Sequence, residues 1–232
     1  MQGEPGPVGR LSDPETMKRS DRMIVVGVTG SVGTGKSTVS RVLRDFGAAV
    51  VDADAIARDT VDPKTRAWRE VVRAFGKKIL NVDGTIDRSA LAAIVFASPT
   101  KKRKLEKIIH PHVLRQMRQA LSRLRKEGWR VVVLDIPLLF ETGAHRMTDL
   151  VIVVAVPRGI QYARLKAKYR WSKKEVDARI QSQWPLSAKV ALADAQIDNS
   201  QSVAHTRKQV KELWNKQIKP VLTRRRSSTS PR

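Results

Sequence analysis

The stretch Gly30-Ser31-Val32-Gly33-Thr34-Gly35-Lys36-Ser37 matches G-x-x-x-x-G-K-[ST] at every fixed position. Its setting matters as much as the match. It directly follows the apolar run Met23–Val28 and directly precedes a helix-forming run that starts at Ser37, which is the strand–loop–helix context the motif requires. The glycines let the backbone turn so that successive N–H groups converge on a phosphate. Lys36 then bridges the terminal phosphates and the Ser37 hydroxyl completes the shell of a magnesium ion. The helix beginning there turns its positive dipole end toward the anion. The segment therefore reads as a nucleoside triphosphate site built from Gly30, Ser31, Val32, Gly33, Thr34, Gly35, Lys36, Ser37 and Thr38.

Outward from the loop, short β-branched runs alternate with amphipathic stretches. The pattern predicts strands over Met23–Val28, Ala48–Asp52, Arg130–Asp135, Leu150–Val156 and Ala195–Ile197. Four of them are near-continuous Val, Ile, Leu and Ala, the composition of parallel strands covered by helices on both faces. Helices are expected from Ser37 to Phe46, Lys64 to Phe75, Arg88 to Ala97, Thr100 to Ile109 and Val113 to Lys126. Further ones run from Ile160 to Tyr169, Lys173 to Gln183 and Ser202 to Gln217. The fold class is α/β, doubly wound. The stretch from about 60 to 128 carries three or four helices with no strand between them, and is expected to lean over one sheet edge as a helical insertion. Residues 1–22 read as a disordered polar arm and 223–232 as a disordered basic tail, leaving 23–222 as the folded domain.

At 232 residues, 41% hydrophobic and 29% charged, the chain is sized for one packed domain. It has no cysteine, which excludes disulfide scaffolds, Cys-ligated zinc, iron–sulfur clusters and thiol nucleophiles. No apolar run approaches the roughly 18–20 residues that cross a bilayer. Residues 1–22 lack an apolar signal-peptide region and hold Glu4, Asp13, Glu15 and Asp21, which speaks against a transit peptide. The expected location is the cytoplasm, with no membrane partner. The outlying property is charge, with 45 Lys and Arg against 22 Asp and Glu for a net +23. Residues 101–126 hold ten cations against Glu106, residues 158–174 hold seven and no acid, and residues 205–232 hold nine against Glu212. The remainder is about neutral. Such a distribution suits a polyanionic small substrate at least as well as a DNA-reading helix, which would concentrate charge on one element. Aromatics, at 5%, are too few for a platform that stacks bases.

Three further stretches carry chemistry. Asp135 closes the apolar run Val131–Leu134, where an acid joins the water shell of a magnesium ion. Pro137 and Leu138 after it suggest a wall of the site. In Val51-Asp52-Ala53-Asp54-Ala55-Ile56-Ala57-Arg58, two carboxylates stand at the carboxyl end of the second strand, where an open α/β sheet places its ligands. One can take a proton from an acceptor hydroxyl while the other caps the following helix. The basic run from Arg164 to Arg170 has the form of a lid over phosphates, spanning about 164–176. No N-K-x-D guanine motif is present, because Asn215-Lys216 is followed by Gln217-Ile218. A phosphate loop, an acid near the acceptor and mobile arginines together describe a small kinase.

In combination these stretches resemble the dephospho-CoA kinase family, from about Ile24 to about Asn199. The resemblance rests on the loop, on Asp52-Ala53-Asp54…Arg58, Ile109-His110-Pro111 and Asp135-Ile136-Pro137-Leu138-Leu139-Phe140-Glu141. It also rests on the Arg170…Arg179-Ile180…Gln183 series that ends in Ile197-Asp198-Asn199. It implies a P-loop kinase fold with a five-stranded parallel sheet, a helical substrate-binding insertion and a lid. It implies ATP-dependent phosphorylation of the ribose 3′-hydroxyl of dephospho-CoA with magnesium, the last step of coenzyme A biosynthesis. Carried over by position, Asp54 is the base, Arg170 a lid arginine and Lys36 the phosphate-loop cation. Arg58, His110, Pro137 and Leu138 border the acceptor, Ser37 and Asp135 hold the metal, and Asn199 lies near the adenine of ATP. The Ser200-Gln201-Ser202 that follows Asn199 departs from the family's glycine there. The competing readings are a nucleoside or nucleoside-monophosphate kinase and, in a different class, a basic nucleic-acid-binding ATPase. The leading reading does not require nucleic acid, though +23 gives it incidental affinity.

Overall fold

The computed structural model describes residues 23–223, so the expected arm 1–22 and residues 224–232 of the expected tail lie outside the described residues. Strand β1 (Ile24–Gly30) pairs in parallel with β3 (Val131–Asp135) on one side and β4 (Leu150–Ala155) on the other. β2 (Ala49–Asp52) lies outside β3 and β5 (Ala195–Asp198) outside β4, giving a five-stranded sheet in the order β2-β3-β1-β4-β5.

Both faces of the sheet are covered. Ile24, Val26, Val28, Val133 and Val154 pack against Val39, Val42 and Leu43 of helix α1 (Lys36–Asp45) and Val210 of α9 (Val203–Leu213). The alternate set, Val25, Val132, Leu134, Val151 and Val153, packs against Met117 and Leu124 of α5 (Pro99–Lys126) and Val190 of α8 (Leu186–Ala191). Side chains of a strand alternate between faces, so a strand buried on both sides reads as an unbroken apolar run. β1 extends past the expected Val28 through Thr29 to Gly30, because Thr29 and Gly30 pair with Val153 and Val154.

Helix α2 (Ala53–Thr60), the helix that one of the two carboxylates was expected to cap, starts where the Asp52 carboxylate accepts from the N–H groups of Asp54 at 2.8 Å and Ala55 at 3.1 Å. α3 (Arg66–Phe75), α4 (Arg88–Phe96) and the first half of α5 enclose a separate core of Val71, Phe75, Ile79, Ile86 and Leu91. The two helices expected over Thr100–Ile109 and Val113–Lys126 are one continuous helix with Pro111 inside it. An interior proline removes one hydrogen bond and crowds the preceding turn, at about 3 kcal/mol. Packing on both sides offsets that cost, with Ile108 and Ile109 in the separate core and Val113, Leu114 and Met117 in the sheet core. α5 is thus a single beam tying the two cores together.

On the other side of the sheet edge, α6 (Arg158–Tyr169) and α7 (Lys173–Gln181) form a hairpin whose second helix opens on a capping box between Ser172 and Glu175. The helix expected over Ser202–Gln217 is α-helical to Leu213 and stays helical beyond it, with a change of winding. A wide turn at Trp214–Ile218 and α10 (Lys219–Thr223) follow it. Among the described residues no helix is long and apolar enough to cross a membrane.

Replacing Pro111 by Ala restores a donor for the helix and relieves crowding. Urea unfolding of Pro111→Ala should show a gain of about 1–3 kcal/mol. A loss would mean that α5 is shaped around the proline ring.

Candidate active site

The carboxyl ends of β1, β2 and β3 open into a cleft of about 900 Å³. The loop after β1 contributes Val32, Gly33, Gly35, Lys36 and Ser37 to its lining. Gly35 sits in the left-handed region (φ 85°, ψ 34°) as the residue before α1, and a Cβ there would run into the Asn199 amide. At Gly30, with φ 156°, a Cβ would fall 2.5 Å from the Val154 carbonyl oxygen. Side chains from distant elements brace the loop. Thr34 donates its hydroxyl to the Ser31 carbonyl at 2.9 Å, and Gln161 donates to the Ser31 hydroxyl at 2.9 Å and to the Val32 carbonyl. Gln183 accepts from the Val32 N–H at 3.1 Å. Asn199 is buried, donating to the Thr34 carbonyl and accepting from the Thr206 hydroxyl, both at 2.8 Å. α1 then begins at Lys36, and the first turn of a helix leaves N–H groups without intrahelical acceptors. This is a preformed anion cradle.

Three carboxylates face it. Asp52 and Asp135 are register partners at the ends of adjacent strands, and both line the cleft with Asp54. Asp135 accepts from the Ser40 hydroxyl at 2.8 Å. Burial pushes its carboxyl above the usual range, and the nearby Lys36 charge pulls the other way. Asp54, in the first turn of α2, is solvent-accessible yet enclosed by the cleft walls. That enclosure raises its carboxyl, while Lys36 and Arg58 oppose the rise and Asp52 adds to it. Asp52 spends one oxygen on capping α2, whereas among the described residues the Asp54 carboxylate has no hydrogen-bond partner.

Lys36, Ser37, Asp54, Asp135, Pro137 and Leu138 are brought together. Ser31 and Thr34 lie buried behind the loop, and Thr38 donates its N–H to the Gly35 carbonyl at 2.9 Å. Arg58 is exposed on α2, close enough to act on Asp54. Like Arg58, His110 and Arg170 are not part of the lining. His110 is half-buried on α5, where burial favours its neutral ring. Arg170 caps α6 in a left-handed conformation (φ 56°) and is exposed. The turn it belongs to is stiffened by Tyr169 stacked on Trp171 at 4.2 Å, with the Arg179 guanidinium 3.8 Å from the Trp171 ring centre. From the same helix, Arg164 and Lys168 do line the cleft, and Arg164 donates to the Asn199 carbonyl at 2.8 Å.

Sequence reasoning missed Lys189. Its side chain is 0% exposed, its Nζ lies 2.7 Å from Glu141 Oε1, and it donates to the Pro137 carbonyl at 2.8 Å. Thr29 donates to the same carbonyl at 3.1 Å, and Glu141 also accepts from the Trp184 N–H at 3.0 Å. The ion pair therefore pins the Pro137–Leu138 wall to the end of β1. Burial lowers the lysine's pKa and Glu141 resists the change. The available signal was Glu141 itself, an acid closing an apolar wall. Its cation comes from a helix too short to show periodicity.

A family model described as dephospho-CoA kinase matches residues 24–205. The chain belongs to the dephospho-CoA kinase family. It is 45% identical over 192 residues to a dephospho-CoA kinase of Carboxydothermus hydrogenoformans, covering 83% of this chain and 93% of the relative. It is 46% identical over 192 residues to one of Symbiobacterium thermophilum, covering 83% and 80%. Among solved structures, a Thermus thermophilus protein matches with a TM-score of 0.71 at 34% identity, covering 84% of this chain and 98% of that one. The dephospho-CoA kinase of Campylobacter jejuni matches with 0.63 at 29%, covering 88% and 99%.

Removing one partner of a buried ion pair strands the other, at about 3–5 kcal/mol. Lys189→Met should lose stability of that order in urea unfolding. Adding Glu141→Gln, which keeps an acceptor and drops the charge, should recover part of it. A single variant as stable as the parent would show that the pair holds nothing in place.

Proposed function

We propose that the protein transfers the γ-phosphoryl group of ATP to the ribose 3′-hydroxyl of dephospho-CoA, releasing ADP and coenzyme A. The observation that carries this reading is the placing of Lys36, Asp54 and Asp135 in one cleft, in a chain of this family. The acceptor oxygen attacks the γ-phosphorus as the bond to the β–γ bridging oxygen breaks. The acceptor proton passes to the Asp54 carboxylate, whose oxygens have no competing partner among the described residues. Lys36 and the N-terminus of α1 hold the phosphates, and Arg164 and Lys168 neutralise the charge that spreads over the moving group. The hairpin of α6 and α7 serves as the lid, with Arg170 at its hinge.

Magnesium fits this donor set. Ser37 supplies a hydroxyl and Asp135 a carboxylate with one oxygen already oriented by Ser40. A magnesium ion takes one or two protein groups and completes its octahedron with phosphate and water. When bound it neutralises phosphate charge. The reading places the work in the cytoplasm, and it makes dephospho-CoA, rather than a nucleoside monophosphate, the acceptor enclosed by the Pro137–Leu138 wall and the helical insertion.

Incubating the protein with ATP, magnesium and each of dephospho-CoA, AMP and duplex DNA tests the assignment. A product carrying a 3′-phosphate by phosphorus NMR is expected from dephospho-CoA alone, and turnover only with AMP would overturn it. Lys36→Ala should lower kcat at least about a hundredfold, since a positioned cation supplies several kcal/mol to the transition state.

Asp54→Asn should lower kcat by about a hundredfold, the low end for a positioned base because the transition state is loose. Its KM for ATP should be nearly unchanged. A base works ionised, so kcat should fall as pH drops through the raised pKa of Asp54, placing the acid limb above 3.8. The variant should lack that limb. Because the folded pKa exceeds the unfolded one, ionising Asp54 subtracts stability as pH rises through the window above 3.8. Asp54→Asn should therefore melt no lower than the parent at neutral pH.

A further inference from the structure

Helix α5 presents two apolar faces to the two cores, and a third face to solvent. Along that third face Lys104, Lys107, Arg115, Arg118 and Arg125 recur at helical spacing, with Pro111 and Ser122 between them, and all are exposed. The intervals of three and four residues place them in one row. The row extends about 32 Å at 1.5 Å per residue. It holds no carboxylate, because the one acid of α5, Glu106, lies on another face and pairs with Lys102 at 3.8 Å. Lys104 is tethered to the Ala74 carbonyl at 3.2 Å. Among the described residues the side chains of Lys107, Arg115, Arg118 and Arg125 have no hydrogen-bond or ion-pair partner, and none of them lines the cleft.

Like charges at these spacings repel and weaken a helix, and the kinase chemistry makes no use of them. We propose that this outer row of α5 docks along the phosphate backbone of a nucleic-acid duplex without reading its sequence. A row of about 32 Å matches one turn of duplex, roughly 34–36 Å, and guanidinium groups are the side chains best shaped for phosphate. The row carries no aromatic side chain on which single-stranded bases stack. It carries no large apolar side chain that inserts into a bilayer, and the apolar faces of α5 are already covered by protein.

The test is fluorescence anisotropy of a labelled duplex of mixed sequence, titrated with the full chain over a range of salt. Each phosphate contact contributes about 0.9 to the slope of log K against log salt. The triple variant Lys107→Gln, Arg115→Gln, Arg118→Gln should lose about 3 from that slope and more than tenfold in affinity at low salt. The control triple Lys208→Gln, Lys211→Gln, Lys216→Gln removes the same net charge from α9 and the turn after it, and should change the slope by less than about 1. Turnover on dephospho-CoA should be unaltered in both. Equal losses in the two triples would mean that net charge alone binds DNA, and would overturn the proposal. So would absence of duplex binding by the parent, or row-dependent binding to phosphatidylglycerol vesicles with no such dependence on duplex.

Discussion

Parallel pairing of β1 between β3 and β4 is the constraint from which the site follows. The register sets Val28 beside Asp135 and Gly30 beside Val154, so the phosphate loop leaves the sheet next to the acid that ends β3. β2 pairs on the far side of β3 with Asp52 level with Asp135, and α2 then carries Asp54 over the same edge. A slip of one residue in β1 would turn every side chain to the opposite face. It would also move the loop away from the carboxylates. Burial on both faces prevents such a slip, because each face of the strand has its own apolar partners.

The cleft holds opposed electrostatic demands. Enclosure disfavours ionised Asp54 and Asp135, and the Lys36 charge acting on both favours the charged forms. Sites that keep acids and cations close in a partly enclosed space are typical of catalytic centres. The Lys189–Glu141 pair solves a different problem. It carries charge into the core so that a rigid cross-link, shared with Thr29 and Trp184, fixes the wall opposite the loop. The buried pair thus holds the cleft's shape.

α5 shows how a single element serves several purposes. Its length carries it from the separate helical core to the sheet core, and the packing at both ends keeps it continuous through Pro111. The face left over has no structural duty. That freedom is what allows an uninterrupted cationic row there, and it accounts for much of the charge in the segment from 101 to 126.

The sequence by itself determined the phosphate loop, the parallel α/β sheet and the pairing of Asp52 with Asp54, because each of these is a local pattern. Loop spacing, two-sided burial of a strand and a cap followed by a helix are all written within a few consecutive residues. Only the tertiary structure decided which acid caps and which stays free, since that depends on hydrogen bonds made at the start of α2. It decided that Pro111 does not break α5, because packing from two cores outweighs a local penalty. It also put Arg164 rather than Arg170 into the cleft lining, because Arg164 lies within α6 while Arg170 sits past its end in a left-handed cap. Lys189 could not be found from its own neighbourhood. A buried lysine is defined by the carboxylate and carbonyl that surround it, and here both come from the loop after β3, brought close only when β1, β3 and β4 align.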